Sequence, residues 1–131
     1  QMNRLDSFVK KRHSIAKRYD TLLSDLPLTL PFQSPNTYSS FHLYVIRLKL
    51  NKIQKSQPEI FKILRAKNIM VNLHYIPVYR HPYYRNMGFG RGYCAESESY
   101  FKEAITIPLY PGLTTENQDF VVHSLKVELD I

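Results

Sequence analysis

Residues 5–26 constrain this chain more than any other stretch. Leu5, Phe8, Val9, Ile15, Ala16, Tyr19, Leu22, Leu23 and Leu26 recur at helical spacing. Lys10, Lys11, Arg12, Lys17 and Arg18 fill most of the opposite face. The pattern predicts one long amphipathic helix over residues 2–26, ended by Pro27. Its apolar stripe has to be covered by the rest of the chain or by a partner, and left bare it favours self-association.

The remaining hundred or so residues must therefore supply a second layer. Pro27, Pro31 and Pro35, mixed with Ser34, Asn36 and Ser39, predict an irregular connection. Phe41–Leu50 reads as a strand rich in β-formers, with Arg47 and Lys49 on the wetter face. Ser56-Gln57-Pro58-Glu59 is a helix start, and the helix runs to about Lys67, with Asn68 as its end. Met70–Tyr75 reads as a second strand, 81–87 as a short helical turn closed by Gly88, and Glu96–Ala104 as a helix. Ile105–Leu109 reads as a third strand and Thr115 to about Leu129 as the last helix, with Thr114 or Thr115 as its cap. The predicted class is α+β: a small, mainly antiparallel three-stranded sheet covered by helices.

Bulk properties exclude several classes. At 131 residues the chain is long enough for one domain with one core. No run approaches the roughly 18 apolar residues of a membrane span, and no signal peptide is visible, so a cytoplasmic location is the expectation. Cys94 is the single cysteine, which leaves no internal disulfide and no cysteine-based zinc site. The net charge of +7 is uneven: residues 1–67 carry +9 and residues 68–131 carry −2. A basic half attracts phosphates or nucleic acid, yet its charges interleave with an apolar stripe, as on any solvated helix face. The chain opens on Gln1 with no Ser, Thr or Asp cap before Leu5, which sets the expectation that it is a piece of something longer.

The chemistry-bearing residues cluster in the second half. His74 and Tyr75 end a predicted strand, where they either donate to a ligand's phosphate or sugar oxygens or simply bond backbone carbonyls. Pro77, Tyr79, His81, Pro82, Tyr83 and Tyr84 extend this aromatic segment. Gly88-Phe89-Gly90-Arg91-Gly92-Tyr93 has a glycine-rich look, but no strand directly precedes it and no Lys-Ser/Thr follows, and alternating glycines read best as a loop. His13, His42 and His123 are scattered without metal-ligand spacing. Glu96 and Glu98 suit a helix N-terminus without any catalytic role. Cys94 has no basic partner in sequence.

Three stretches together resemble the C-terminal part of the DegT/DnrJ/EryC1/StrS sugar aminotransferases. They are Leu5–Arg12 with Ile15–Asp20, then Val71-Asn72-Leu73-His74-Tyr75-Ile76-Pro77-Val78-Tyr79, then Glu96-Ser97-Glu98 through Ile107-Pro108-Leu109-Tyr110-Pro111-Gly112-Leu113-Thr114. The His-Tyr-Ile-Pro and Pro-Gly-Leu-Thr wording is most similar to the pseudaminic acid branch, which forms UDP-4-amino-4,6-dideoxy-N-acetyl-altrosamine from a UDP-linked 4-keto-6-deoxy sugar. The resemblance implies the small C-terminal domain of a fold-type I enzyme dependent on pyridoxal phosphate (PLP). In such an enzyme a lysine holds PLP as a Schiff base, and an amino group passes from glutamate to the sugar ketone.

By the same resemblance, residues 1–26 are the long interdomain helix and 27–131 the small domain. The catalytic large domain, with its lysine and most cofactor contacts, lies outside the chain. No Ser-x-His-x-x-Lys setting occurs here, so no PLP is expected on this chain alone. His74, Tyr75 and Tyr79 are the residues it places at the substrate cleft. Many relatives have His where Tyr79 stands and Pro where Ala95 stands, and a tyrosine cannot be a cation at neutral pH. A homodimer is expected. Two rival readings remain from composition: a basic nucleic-acid-binding module, and a non-catalytic dimerisation domain.

Overall fold

The computed structural model describes residues 2–129. In chain order the elements are α1 (Leu5–Leu22), β1 (Leu28–Thr29), β2 (Tyr44–Leu48), α2 (Gln57–Ala66), α3 (Pro82–Asn86), α4 (Ala95–Glu103), β3 (Ala104–Ile107) and α5 (Thr115–Glu128). Short 3-10 turns occupy Met2–Arg4, Leu50–Lys52 and Val78–Arg80. Among the described residues no helix is long and apolar enough to cross a membrane.

The sheet is three-stranded and antiparallel, in the order β1-β2-β3. Leu28 pairs with Leu48, and Tyr44 through Arg47 pair with Ile107 back through Ala104. The class expected from sequence is therefore the class observed, but one strand is different. Met70–Tyr75 does not run as a strand. Among the described residues its one backbone bridge to the sheet is at Asn72, which exchanges two hydrogen bonds of 3.0 and 2.8 Å with Thr106 on the outer edge of β3. The third strand is instead the two-residue Leu28–Thr29, inside the proline-rich stretch read as irregular. It is fixed to β2 partly because the Pro27 carbonyl accepts the Lys49 N–H at 2.9 Å.

The core explains these choices. Tyr44, Ile46 and Leu48 alternate inward along β2, and all four residues of β3 are buried, so both faces of β3 are covered. Ile60 and Leu64 from α2 and Val121, Val122 and Leu125 from α5 close over Ile105 and Ile107. α2 starts on a Ser56–Glu59 box, where the Glu59 carboxylate accepts the Ser56 N–H at 2.8 Å. It ends at Asn68, whose φ of 60° is left-handed and lets the Ile69 N–H reach back to the Leu64 carbonyl at 3.0 Å. α5 starts on Thr114, whose hydroxyl accepts the Asn117 N–H.

The first helix is shorter than its pattern. It stops at Leu22, and Leu23 and Leu26 turn inward beyond it, because Leu28 must re-enter the sheet. Its second half is built into the core. Tyr19 is fully buried, with its hydroxyl donating to the Pro108 carbonyl at 3.0 Å and its ring 5.1 Å from that of Tyr44. Arg18 bonds Gln118 and Asp119 of α5, and buried Gln118 donates to the Ile15 carbonyl at 2.9 Å. Its first half is not covered: Leu5 is 44% exposed, and Phe8 and Val9 are half-buried. Beside them the proline-rich connection is pinned by His13, which stacks on Tyr38 and bonds the Ser39 carbonyl at 2.7 Å.

Candidate functional site

The segment leaving the sheet at Asn72 carries the predicted site. Val71 is buried and anchors it, and then the chain lifts away, with Tyr75, Ile76 and Val78 exposed. A single rung on β3 releases the backbone early, so His74 and Tyr75 sit on the rim of the sheet. The His74–Tyr75 peptide is cis. His74 Nδ1 lies 2.8 Å from the Thr106 hydroxyl, which belongs to the strand that Asn72 bridges. His74 is thus tied to a side chain of β3, and not to a backbone carbonyl. Nε2 has no partner among the described residues. Its ring meets that of Tyr75 edge-on at 4.6 Å. Tyr75 is 72% exposed, with its hydroxyl free for a ligand.

Tyr79 behaves differently. Its hydroxyl lies 2.9 Å from Glu98 Oε1 and 3.2 Å from the Cys94 carbonyl, so its polar tip faces α4. Glu98 is the organising residue that sequence reasoning passed over as a favourable charge in the first turn of a helix. It is 8% exposed and accepts four hydrogen bonds from three residues. Tyr79 donates to it, Arg80 binds both of its oxygens, and the Gly92 N–H reaches Oε1 at 3.3 Å. Gly92 has φ +85°, a conformation that L side chains rarely adopt. Burial pushes the Glu98 carboxyl up, but the bonds from Tyr79, Gly92 and Arg80 outweigh it and hold the group below the usual carboxylate range. Arg80 also lies over the Phe101 ring at 4.9 Å. One carboxylate thus folds the whole segment from Tyr79 to Gly92 back onto α4.

Folding that segment back creates an open concavity of about 1010 Å³ next to Ile76. Arg80, Arg85, Asn86, Phe89, Arg91 and Phe101 line much of it. No carboxylate and no lysine is among its lining residues. The Gly88–Tyr93 stretch is a loop, as its alternating glycines suggest, and Phe89 packs edge-on to Tyr93 at 4.9 Å. Cys94 Sγ accepts the Ser97 hydroxyl at 3.3 Å, and that bond lowers the thiol below its ordinary value. Among the described residues no cluster of His, Cys, Asp or Glu is fit to hold a metal.

A PLP ring needs a lysine amine for its aldehyde and a carboxylate for its pyridine nitrogen. The concavity offers neither, and Glu98 beside it is engaged by Arg80. The residues lining this concavity do not form such a site.

The sequence profile of the DegT/DnrJ/EryC1/StrS aminotransferase family matches residues 1–126. The spore coat polysaccharide biosynthesis protein SpsC of Bacillus subtilis (strain 168) is 32% identical over 129 residues, covering 96% of this chain and 33% of the relative. The dTDP-3-amino-3,4,6-trideoxy-alpha-D-glucose transaminase of Micromonospora megalomicea is 30% identical, covering 96% of this chain and 34% of the relative. The apo structure of the putative sugar aminotransferase Spr1654 from Streptococcus pneumoniae superposes with a TM-score of 0.90 at 27% identity, over 99% of this chain and 33% of that one. Helicobacter pylori PseC, an aminotransferase of pseudaminic acid biosynthesis, shares the fold with a TM-score of 0.88 at 24% identity, over 99% of this chain and 35% of its own. The chain spans about a third of the length of the relatives it matches. It belongs to the DegT/DnrJ/EryC1/StrS aminotransferase family.

Proposed function

We propose that this chain is the C-terminal part of a PLP-dependent aminotransferase that moves an amino group from glutamate to a nucleotide-linked 4-keto-6-deoxy sugar. The pathway is the building of a surface polysaccharide or other glycan, and the pseudaminic acid branch is the preferred one. The observation that supports this most is the pairing of His74 with Thr106 at the sheet rim, within a family match that runs almost the whole chain.

In this reading residues 1–26 join an upstream large domain that supplies PLP and the reactive lysine. The half-covered stripe of Leu5, Phe8 and Val9 is the surface that domain packs against, and the complete enzyme is a homodimer. PLP, when bound there, supplies the electron sink for transamination. The residues of this chain bind and orient the sugar nucleotide. Thr106 holds the His74 ring so that Nε2 faces the ligand, Tyr75 offers its hydroxyl, and Tyr79 acts through Glu98 to place the loop beside them. No residue here moves the reacting proton.

The test uses the complete enzyme with glutamate and a UDP-linked 4-keto-6-deoxy-N-acetyl hexose, with mass spectrometry of the product. The expected product is the 4-amino sugar. His74→Ala raises KM for the sugar nucleotide and leaves the affinity for PLP unchanged. Absence of turnover with every nucleotide-linked keto sugar tried overturns the reading. A stoichiometric, borohydride-trapped PLP adduct on one lysine of residues 1–131 refutes the claim that the reactive lysine lies elsewhere.

A further inference from the structure

We propose that the concavity beside Ile76 is a diphosphate subsite, in which Arg85 and Arg91 bind the two phosphates of a nucleoside diphosphate. The proposal rests on the sugar-aminotransferase reading and adds to it the group that is held and the residues that hold it.

Three guanidinium groups line the concavity, and they differ in what neutralises them. Arg80 is satisfied: Glu98 takes its N–H groups and Phe101 takes its face. Arg85 and Arg91 are exposed, and neither has a side-chain hydrogen bond or ion pair among the described residues. The lining holds no carboxylate to neutralise them. This stands out in a half of the chain whose overall charge is −2. Two cations lining one concavity without a carboxylate leave it positively charged, and an anion entering it relieves that charge. Guanidinium is the group best matched to phosphate, because its planar fork donates two parallel N–H groups.

Shape and placement narrow the ligand. Arg85 comes from the last turn of α3 and Arg91 from the Gly90–Gly92 turn, so the pair is set by the loop that Glu98 folds back. Two separate forks suit two phosphates better than one. Phe89 and Phe101 line the same space and give apolar surface for a ribose or base edge, which a bare phosphate does not need. The volume of about 1010 Å³ is at the upper end of the ~300–1,000 Å³ typical of small-molecule sites. Ile76 lines the concavity, two residues from His74, so a diphosphate held here has its sugar directed toward the His74–Tyr75 rim.

The experiment is isothermal titration of the complete enzyme with UDP, UMP, uridine and inorganic pyrophosphate, paired with its steady-state kinetics. UDP is expected to bind more tightly than UMP or pyrophosphate, with affinity falling as salt rises. Arg85→Ala and Arg91→Ala each weaken UDP by about 5- to 20-fold, the range expected of charge-assisted bonds in a solvent-open site. Arg→Lys at either position restores part of it. Circular dichroism checks that the variants stay folded.

UDP binding unmoved by the double variant overturns the proposal, as does pyrophosphate binding as tightly as UDP. Single-stranded RNA binding through the same arginines, without UDP binding, also overturns it in favour of a nucleic-acid surface. Transamination with a sugar-nucleotide KM insensitive to both variants sinks the subsite and leaves the enzymatic reading intact. Arginine-dependent UDP binding in an enzyme that transaminates no sugar does the reverse.

Discussion

Replacing Thr106 with Val tests whether the His74 ring is held for a purpose. The two side chains have nearly the same shape, so the swap removes one hydroxyl from a buried strand position and little else. That hydroxyl lies 2.8 Å from His74 Nδ1, a sound hydrogen-bond distance. A hydrogen bond of this kind contributes a net 0.5 to 1.5 kcal/mol, roughly. His74 is half-buried, so water partly replaces the lost partner and the lower half of that range applies. With a urea slope of about 2 kcal/mol/M for a small domain, a loss of about 1 kcal/mol lowers the unfolding midpoint by about 0.5 M.

The decisive measurement is a double-mutant cycle with His74→Ala. Thr106→Val made on the His74→Ala background has little further effect, and the coupling energy is about 0.5–1 kcal/mol. In the complete enzyme the same change raises KM for the sugar nucleotide by about 2- to 5-fold, because 1.4 kcal/mol corresponds to tenfold. Nitrogen-15 spectra of the imidazole report a redistribution of its two neutral tautomers. A coupling energy of zero, or a stability loss above about 3 kcal/mol with no change in KM, refutes the reasoning. The first outcome means that the bond is absent in solution, and the second that Thr106 serves packing alone.

The same geometry sets four further outcomes. Glu98→Gln removes the charge opposite Arg80, and faster hydrogen exchange at the Gly92 amide, together with a weaker near-ultraviolet tyrosine signal, is the expected readout. In the unmodified chain the Glu98 carboxyl lies below its ordinary value, so its contribution is complete above that value. The contribution fades as pH falls through the lowered one, and amide exchange at Gly92 tracked against pH shows the loss on the acid side only. Tyr19 and Tyr44 are pushed well above the usual tyrosine range, both chiefly by burial and Tyr44 also by its bond to Asp20. Their neutral form is favoured in the fold, so stability is full below the ordinary tyrosine value and declines above it, and phenolate absorbance from these two rises only as the chain unfolds in alkali. Thr114→Ala removes the cap of α5 and costs about 1 kcal/mol in urea unfolding, whereas Thr115→Ala costs much less.

The elements with strong local signals were legible in the sequence. The stripe of α1, the Ser56–Glu59 start, the Asn68 stop and the Thr114 cap all rest on neighbours within a few residues. The errors arose where tertiary partners decide. Met70–Tyr75 has the composition of a strand, but β3 offers it one rung before the chain departs. Leu28–Thr29 lies between two prolines and looks like a connection, yet Leu48 and Arg47 stand opposite to pair with it. Glu98 was legible as a helix-start charge, because that explanation is local. Its partners Tyr79 and Arg80 lie 19 and 18 residues away, and nothing in spacing announces them. The placing of His74 and Tyr75 at a rim could be read because a proline comes so soon after.

The lone rung at Asn72 has a consequence for how such a protein diversifies. Beyond it, from Leu73 to Tyr93, only Pro77 is buried, so the segment adds little to the core. Most substitutions there leave the sheet and its helices untouched, and surface changes of this kind cost within about 0.5 kcal/mol. The candidate site residues are thus free to drift while the scaffold keeps its stability. Under the proposed function, a chain arranged in this way exchanges one sugar for another through mutations that folding scarcely notices.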